Sequence, residues 1–287
     1  MLSRPPRIAA IHGLAGFGRS SLSVVIPTLS AMGVQVCPIP TAVLSTHTGG
    51  LGEVEYRDLT DYIRPCVAHY QSLELSFEGV YSGFLSNPAQ VDDVKTLIAA
   101  YPQALVVVDP VMGDHGKLYR TYTPALTERI RELVTAAAVI TPNPTEASIL
   151  LKEQYQHDPI ARQPLKSKLV RLSELGPRYV VITGVELVSG GCANVGYDRT
   201  QNAFWCVRYD YVPTNYPGTG DIFASVLTGA MVTGDSFPMA MGRATQFVET
   251  AIKITFSYGT DPRHGVMLEK CLGLLTQHEV MKNYELL

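Results

Sequence analysis

The sequence lacks the residue spacings that mark several common kinds of site. None of its five cysteines lies in a CxxC pair, and none of its seven histidines lies in an HxxxH or HExxH pair. An odd, scattered set of cysteines argues against a disulfide framework, and nothing indicates a zinc site. The cysteines therefore predict reduced thiols in a cytoplasmic protein.

Charge clusters and long apolar runs are also missing. The formal net charge is −3 over 287 residues, without a basic cluster, so the sequence gives no support for nucleic-acid or membrane binding. No apolar stretch is long enough to span a bilayer, and the N-terminal residues lack the apolar segment of a signal peptide. We expect a soluble protein folded as a single domain over residues 1–287.

Two nucleotide-binding fingerprints are absent. The P-loop pattern GxxxxGK[ST] does not occur. The glycines after the first predicted strand (residues 7–11) do not form GxGxxG, and no acidic residue closes the second predicted strand (residues 34–39), so NAD binding is disfavoured. We interpret residues 12–21 as a glycine-rich turn, with Ser20 or Ser21 capping the next helix.

Strand-like apolar runs alternate with helical patterns along most of the chain. The run ALVVV at 104–108 is typical of a buried parallel strand. This alternation predicts an α/β fold, with a mostly parallel sheet covered by helices on both faces. We also expect a hairpin from the runs 187–197 and 203–209 at one sheet edge, and a final helix over 268–280.

The segment Pro217–Asp221 precedes an apolar helical run and combines two glycines with a carboxylate. A helix N-terminus offers free N–H groups and partial positive charge, so it suits an anion such as phosphate. Asp221 is then either a simple N-cap or a base beside a phosphate site. Short glycine-rich motifs leave both interpretations open.

Polar residues follow other predicted strands, where open α/β sheets bind their ligands. The segments concerned are His47–Thr48 in a glycine-rich loop taken to be mobile, Asp109 and Asp114, Asn143 and Glu146, and Thr183. Each has a structural alternative: His47 can be a surface residue, Asp109 a turn residue, and Asn143 with Glu146 a helix capping pair. Together they supply the parts that phosphoryl transfer needs.

In this order, DPVMGD (109–114), TPNPTE (141–146) and PGTGD (217–221) resemble the ribokinase-like superfamily, whose fold is a three-layer sandwich. STHTG (45–49), DPVMGDHGKLY (109–119) and ITPNPTEA (140–147) resemble the pyridoxal kinases within it. The resemblance runs from about residue 8 to about residue 234. It implies phosphorylation of the 5′-hydroxymethyl group of pyridoxal by ATP with Mg²⁺, in a homodimer, and leaves a monovalent-cation requirement open.

The resemblance also implies residue roles. Asp221 would be the general base, and Gly218, Thr219 and Gly220 would form the anion hole. The implied metal residues are Asp114 and Glu146; the implied ATP contacts are Asp114, Asn143, Thr183 and the anion-hole residues. The implied substrate contacts are Gly13, His47, Thr48, Phe84 and Asp221.

One position departs from the family pattern. Gly13 stands where these kinases often carry Ser or Asp, so His12, a backbone group or water would have to supply the ring contact. The vitamer preference among pyridoxal, pyridoxine and pyridoxamine therefore stays open. Two alternatives remain: a hydroxymethylpyrimidine kinase of thiamin metabolism, and a non-catalytic protein that binds B6 or a nucleotide.

Overall fold

Ten strands form one sheet in the computed structural model, which describes residues 4–276 and 284–287. They are β1 (Arg7–Phe17), β2 (Gln35–Thr46), β3 (Tyr56–Asp58), β4 (Gly79–Ser82), β5 (Leu105–Val108), β8 (Val139–Ile140), β9 (Tyr179–Glu186), β10 (Cys192–Asp198), β11 (Ala203–Tyr209) and β12 (Tyr284–Leu286). The remaining two, β6 (Gly113–Asp114) and β7 (Lys117–Leu118), form a separate hairpin. The sheet order is β12-β11-β10-β9-β8-β5-β4-β1-β2-β3.

The six central strands, from β9 to β2, pair in parallel, and the outer strands pair antiparallel. The hairpin expected from the runs 187–197 and 203–209 is present as β10 and β11, with β12 outside it. The carboxyl ends of the parallel strands consequently meet at one edge of the sheet, as parallel pairing requires.

Helices cover both faces of the sheet. They are α1 (Leu22–Ala31), α2 (Thr60–Ser72), α3 (Pro88–Ala100), α4 (Pro124–Val134), α5 (Pro144–Leu150), α6 (Arg162–Glu174), α7 (Thr219–Val232) and α8 (Phe237–Ser257). Alternate residues of β5 enter different cores: Val106 and Val108 pack with α2 to α6, whereas Val107 packs with α1, α7 and α8. This arrangement confirms the predicted three-layer α/β fold.

The glycine-rich turn predicted for residues 12–21 is wrong for most of its length. β1 continues to Phe17, with a register shift between His12 and Leu14. A Cβ at Gly13 would lie 3.0 Å from Cδ1 of Phe84, and one at Gly16 would lie 3.1 Å from the carbonyl oxygen of Ser45. Both glycines therefore allow close packing inside a strand rather than a turn.

The final helix was also predicted incorrectly. Residues 268–270 and 272–276 form short 3₁₀ turns, and residues 277–280 of the predicted helix lie outside the described part of the chain. Gly273 interrupts the apolar run and lowers its helix propensity. None of the helices within residues 4–276 and 284–287 is long and apolar enough to cross a membrane.

The β2 edge of the sheet has an unusual composition. Pro38 and Pro40 both lie within β2, and β3 pairs with β2 only from Ala42 to Leu44. Proline has no backbone N–H to donate, and for that reason it is confined to edge strands, strand starts and bulges. Among the strands of residues 4–276 and 284–287, none but β1 pairs with the first half of β2, which thus forms an edge that carries two prolines.

Candidate active site

A cleft of about 1830 Å³ lies at the carboxyl edge of the sheet. Nearly every residue predicted for the site lines it: His47, Thr48, Phe84, Asp114, Asn143, Glu146, Thr183, Gly218, Thr219, Gly220 and Asp221. Gly13 does not line it and instead packs under Phe84. His12 does not line it either, so His12 cannot replace the missing side chain at position 13 by touching a ligand in the cleft.

The N-terminus of α7 forms part of the cleft wall. Its N-cap is Gly218, with a left-handed φ of +83°. A Cβ at Gly218 would lie 2.0 Å from the carbonyl oxygen of Arg19, so the turn packs directly on the segment that follows β1. The N–H groups of Thr219 and Gly220 stand in the first helical turn, where a helix provides no acceptor, and are available to an anion.

Asp221 is the third residue of α7 and does not cap it, because Gly218 occupies the N-cap and no side chain caps this helix. Its Oδ2 accepts the backbone N–H of Ser21 at 2.8 Å. Only 8% of the residue is exposed. Burial raises the pKa of Asp221 to about 6, while the Ser21 N–H acts in the opposite direction. The carboxylate is therefore mostly ionised at neutral pH and remains able to accept a proton.

Two more buried carboxyl groups lie in the cleft wall, Asp109 after β5 and Glu146 in α5. Burial and the charge of Asp221 raise the pKa of Asp109 to about 8, although the Thr141 hydroxyl donates to its Oδ1 at 3.1 Å. Burial and the charge of Asp109 raise the pKa of Glu146 well above its usual range. Three acidic groups thus share a region where a cation would relieve their mutual repulsion.

Asn143 and Glu146 form the capping box that their spacing predicts. The Asn143 side chain accepts the Glu146 N–H at 3.0 Å, and Glu146 accepts the Asn143 N–H at 2.9 Å. Glu146 also accepts the N–H of Met112 at 3.1 Å, and Asn143 donates to the carbonyl oxygen of Gly113 at 2.8 Å. The capping pair therefore also fixes the DPVMGD loop, including Asp114, against α5.

The residues present fit Mg²⁺ only if water and phosphate complete its coordination. No three His, Cys, Asp or Glu side chains of residues 4–276 and 284–287 form a metal-binding group. Mg²⁺ prefers oxygen ligands, keeps several waters and is often held by one or two carboxylates together with substrate phosphates. Asp114 and Glu146 supply such oxygen donors, and Asp109 lines the same cleft.

His47 anchors the loop that follows β2. Its Nδ1 accepts the N–H of Gly49 at 3.0 Å, so its Nε2–H donates to the carbonyl oxygen of Arg263 at 2.6 Å. The Arg263 side chain donates back to the carbonyl oxygen of Gly50 at 3.2 Å. A Cβ at Gly18 would lie 2.3 Å from the His47 ring, so Gly18 makes room for it. His47 is thus buried and fully hydrogen-bonded, and Thr48 beside it stays half-buried in the cleft.

Aromatic residues form a further wall of the cleft. Phe84 follows β4, and its ring meets Tyr122 edge-on with 5.9 Å between centroids. Tyr119 also lines the cleft, and its pKa is raised by burial and by nearby carboxylates, Glu146 first among them. On the other side, Thr183 lies within β9 and donates its N–H to the carbonyl oxygen of Pro142 at 3.0 Å.

Sequence reasoning missed several residues of the site. The sequence predicts Ser20 or Ser21 as the cap of α1, and Ser21 is its N-cap residue, although its side chain makes no capping hydrogen bond. What the sequence does not show is that the Ser21 N–H binds Asp221, 200 residues along the chain. Tyr119 belongs to the DPVMGDHGKLY stretch, so its motif was the available signal. Residues of the 209–216 segment and of α8 also line the cleft. They belong to no recognisable sequence motif. The roles assigned to individual site residues remain predictions.

Comparison with known proteins gives the family. The model of the phosphomethylpyrimidine kinase family matches residues 25–267. A candidate phosphomethylpyrimidine kinase of Bacteroides thetaiotaomicron, crystallised with pyridoxal, is 44% identical, with a TM-score of 0.94 over 99% of this chain and 100% of that one. The pyridoxal kinase of Lactobacillus plantarum is 31% identical, with a TM-score of 0.85 over 94% and 96% of the two chains.

Two curated relatives show how the family divides. A pyridoxal kinase of Deinococcus radiodurans is 26% identical over 272 residues, 89% of each chain. A bifunctional thiamine biosynthetic enzyme of Arabidopsis thaliana is 25% identical over 252 residues, and this chain spans only 46% of that protein. Sequence identity alone does not separate the two substrate classes. The chain belongs to the phosphomethylpyrimidine kinase family of the ribokinase-like superfamily, and it is a phosphotransferase.

Proposed function

We propose that the protein transfers the γ-phosphoryl group of ATP to the 5′-hydroxymethyl group of pyridoxal. The proposal rests mainly on Asp221, a buried carboxylate in the first turn of α7 that lines a cleft of about 1830 Å³. Such a volume exceeds the range usual for one small ligand, and so it suits two substrates. The Bacteroides relative, 44% identical and crystallised with pyridoxal, supports the B6 substrate.

Asp221 would act as the general base. With a pKa near 6 its carboxylate is mostly ionised at pH 7, yet it is more basic than an exposed aspartate. One of its oxygens is engaged by the Ser21 N–H, so its remaining lone pairs can accept the proton of a substrate hydroxyl. As the proton leaves, the alkoxide oxygen attacks the γ-phosphorus and the bond to the β-phosphate bridging oxygen breaks.

The N-terminus of α7 would stabilise the charge on the transferred group. Gly218, Thr219 and Gly220 place backbone N–H groups and the positive end of the helix at the cleft. These donors are fixed by the packing of Gly218 against Arg19, so they need no reorganisation during the reaction.

Mg²⁺ would be held by Asp114 and Glu146, and Asn143 would fix the 109–114 loop that carries Asp114. When bound, Mg²⁺ neutralises phosphate charge and polarises the transferred group. Asp114, Asn143 and Thr183 would contact the ATP phosphates together with the anion-hole residues. A monovalent-cation requirement is a question for the same assay.

Thr48 and Phe84 would bind the pyridine ring. Thr48 and Phe84 both line the cleft and are half-buried, and the Phe84 ring offers an apolar face. His47 would act indirectly, because both of its nitrogens already bind the backbone. Gly13 would also act indirectly, by letting the Phe84 ring settle onto β1.

The test is a coupled kinase assay with ATP and Mg²⁺ against pyridoxal, pyridoxine, pyridoxamine and hydroxymethylpyrimidine. We expect the highest kcat/KM with a B6 vitamer, and loss of turnover with retained ligand binding in Asp221→Asn. Preference for the pyrimidine would favour the alternative that the family description names. Ligand binding without turnover of any alcohol would refute the kinase proposal and indicate a binding protein.

A homodimer in the cytoplasm is part of the same proposal. Leu14, Phe17, Val43 and Tyr56 are exposed apolar side chains on neighbouring strands β1, β2 and β3, which supports burial against a second copy. All five cysteines are free thiols, which supports a reducing compartment. Light scattering on the protein should give twice the chain mass, and on Phe17→Arg the mass of one chain.

A further inference from the structure

His12 lies behind the proposed base, outside the cleft. Its side chain is fully buried, and its Nδ1 is 3.8 Å from Oδ1 of Asp221. The ring meets Tyr81 edge-on, with 4.3 Å between centroids, and packs so closely on Gly83 that a Cβ there would lie 2.3 Å from Nδ1. The imidazole is therefore held in place with Nδ1 facing the carboxylate.

Both ring nitrogens of His12 are buried without a hydrogen-bond partner among residues 4–276 and 284–287. Such orphaned polar groups are uncommon, because a buried donor without an acceptor costs free energy. Burial lowers the pKa of His12 to about 3, so the ring stays neutral and carries a single N–H. A shift of about 1 Å would bring Nδ1 within hydrogen-bond distance of the Asp221 carboxylate.

The other groups around Asp221 leave this oxygen to His12. Within the described ranges, the Ser21 N–H is the donor to the carboxylate, and it binds Oδ2. The Tyr81 hydroxyl donates instead to the backbone carbonyl of Asp221, at 3.3 Å. Asp109 forms its hydrogen bond with the Thr141 hydroxyl rather than with Asp221.

We propose that His12 is a positioning residue for Asp221: in the substrate complex its Nδ1–H donates to Oδ1 and turns the carboxylate toward the substrate hydroxyl. A neutral donor orients the carboxylate without adding the positive charge that would weaken it as a base. This inference deepens the proposed phosphotransfer and rests on it.

The first test needs no variant in the active site. Nitrogen-15 NMR of the histidine-labelled protein, alone and with a non-hydrolysable ATP analogue, Mg²⁺ and pyridoxal, reports the ring tautomer, and His12→Asn assigns the signal. We expect a neutral ring protonated at Nδ1 in both samples. A ring protonated at Nε2, or a charged ring, would overturn the proposal, whether or not the protein phosphorylates pyridoxal.

The second test compares His12→Asn with His12→Leu. Both replacements branch at Cγ and have similar shape, but only Asn keeps a donor near the Nδ1 position. We expect His12→Leu to lower kcat roughly 10- to 100-fold, the range seen when a group orienting a functional ligand is lost. The pyridoxal KM should change little, and His12→Asn should retain most of the wild-type kcat.

Thr28→Val is the matched control, because the Thr28 hydroxyl in α1 is also buried without a partner in the described part of the chain, and Thr28 does not line the cleft. Its kcat should equal that of the wild type. Equal kcat loss in the Asn and Leu variants, or a loss expressed only in KM, would refute positioning by the donor. If His12→Leu fails to fold, the tautomer of the His12 ring in the NMR experiment decides whether the proposal stands. A wild-type protein that phosphorylates none of the alcohols refutes the proposed function instead.

Discussion

Replacing the proposed base should stabilise the protein while inactivating it. Asp221 is buried, and its pKa is raised from 3.8 to about 6, chiefly because burial disfavours its charged form. At neutral pH the folded protein therefore carries an ionised carboxylate whose free energy would be lower in the unfolded chain. Asp221→Asn keeps the shape, can still accept the Ser21 N–H, and removes the charge.

The size of the gain follows from the pKa. A carboxyl pKa raised from 3.8 to about 6 corresponds to about 3 kcal/mol of lost folding free energy at high pH. This loss of folding free energy is absent at pH values below 3.8, the pKa of the carboxyl group in the unfolded chain. It grows as the pH rises and is complete above about pH 6. The charge of Asp221 also raises the pKa of Asp109. Removing that charge therefore lowers the cost of ionising Asp109 in the folded protein, which adds to the gain in stability. For a chain of this length, the gain corresponds to a rise in Tm of about 5 °C.

Thermal and urea unfolding at pH 7.5 and pH 4.5 would measure this gain, and a coupled kinase assay would measure turnover. The variant should be more stable at pH 7.5, lose most of that advantage at pH 4.5, and lose about 10²- to 10⁴-fold in kcat. Asp93→Asn is the control, since Asp93 is buried but paired with Arg64, and the substitution should not stabilise. An Asp221→Asn protein no more stable than the wild type at pH 7.5 would refute the reasoning.

Three further predictions concern pH, backbone and metal. Since the base must be ionised, log kcat/KM, which reports the free enzyme, should rise with unit slope below about pH 6 and level off above it, and a kcat/KM independent of pH from 5 to 8 would exclude Asp221 as the base. Gly218→Ala meets the Arg19 carbonyl oxygen at 2.0 Å in a left-handed conformation, so unfolding experiments should show a loss of at least about 2 kcal/mol, whereas Gly220→Ala meets no atom closer than 4.0 Å and should stay folded. Glu146→Gln keeps one oxygen for the Asn143 N–H, leaves the Met112 N–H facing an amide nitrogen, and offers Mg²⁺ a neutral ligand in place of a carboxylate, so the Mg²⁺ concentration for half-maximal turnover should rise about tenfold; an unchanged Mg²⁺ titration would remove Glu146 from the metal site.

Local signals explain which parts of the fold were predictable. The apolar spacing predicts helices over 88–100 and 237–257, which are the bounds of α3 and α8. Asn87 caps the first, and Pro238 lies in the first turn of the second. The polar segments after the strands meet in one cleft because parallel strands share a carboxyl edge. These inferences need only periodicity, capping residues and the parallel order of strands.

Contacts between distant segments explain the remainder. No local pattern around Gly13 or Gly16 indicates that Phe84 and Ser45 pack against these glycines, so the sequence alone favours a turn there. The Ser21 N–H and the His12 ring reach Asp221 from about 200 residues away, and no local pattern encodes such an approach. The hydrogen bond of His47 to the Arg263 carbonyl oxygen likewise depends on a segment far along the chain, whereas the substrate contact of His47 stays a prediction.

The two prolines of β2 limit how copies of this chain can associate. A strand from another molecule needs a continuous row of N–H and C=O groups to extend a sheet, and Pro38 and Pro40 interrupt that row where β3 gives no cover. At the opposite end, β12 already occupies the edge of β11. The two terminal strands, β3 and β12, are each only three residues long, so the sheet presents short or proline-interrupted edges that disfavour strand addition by a second molecule.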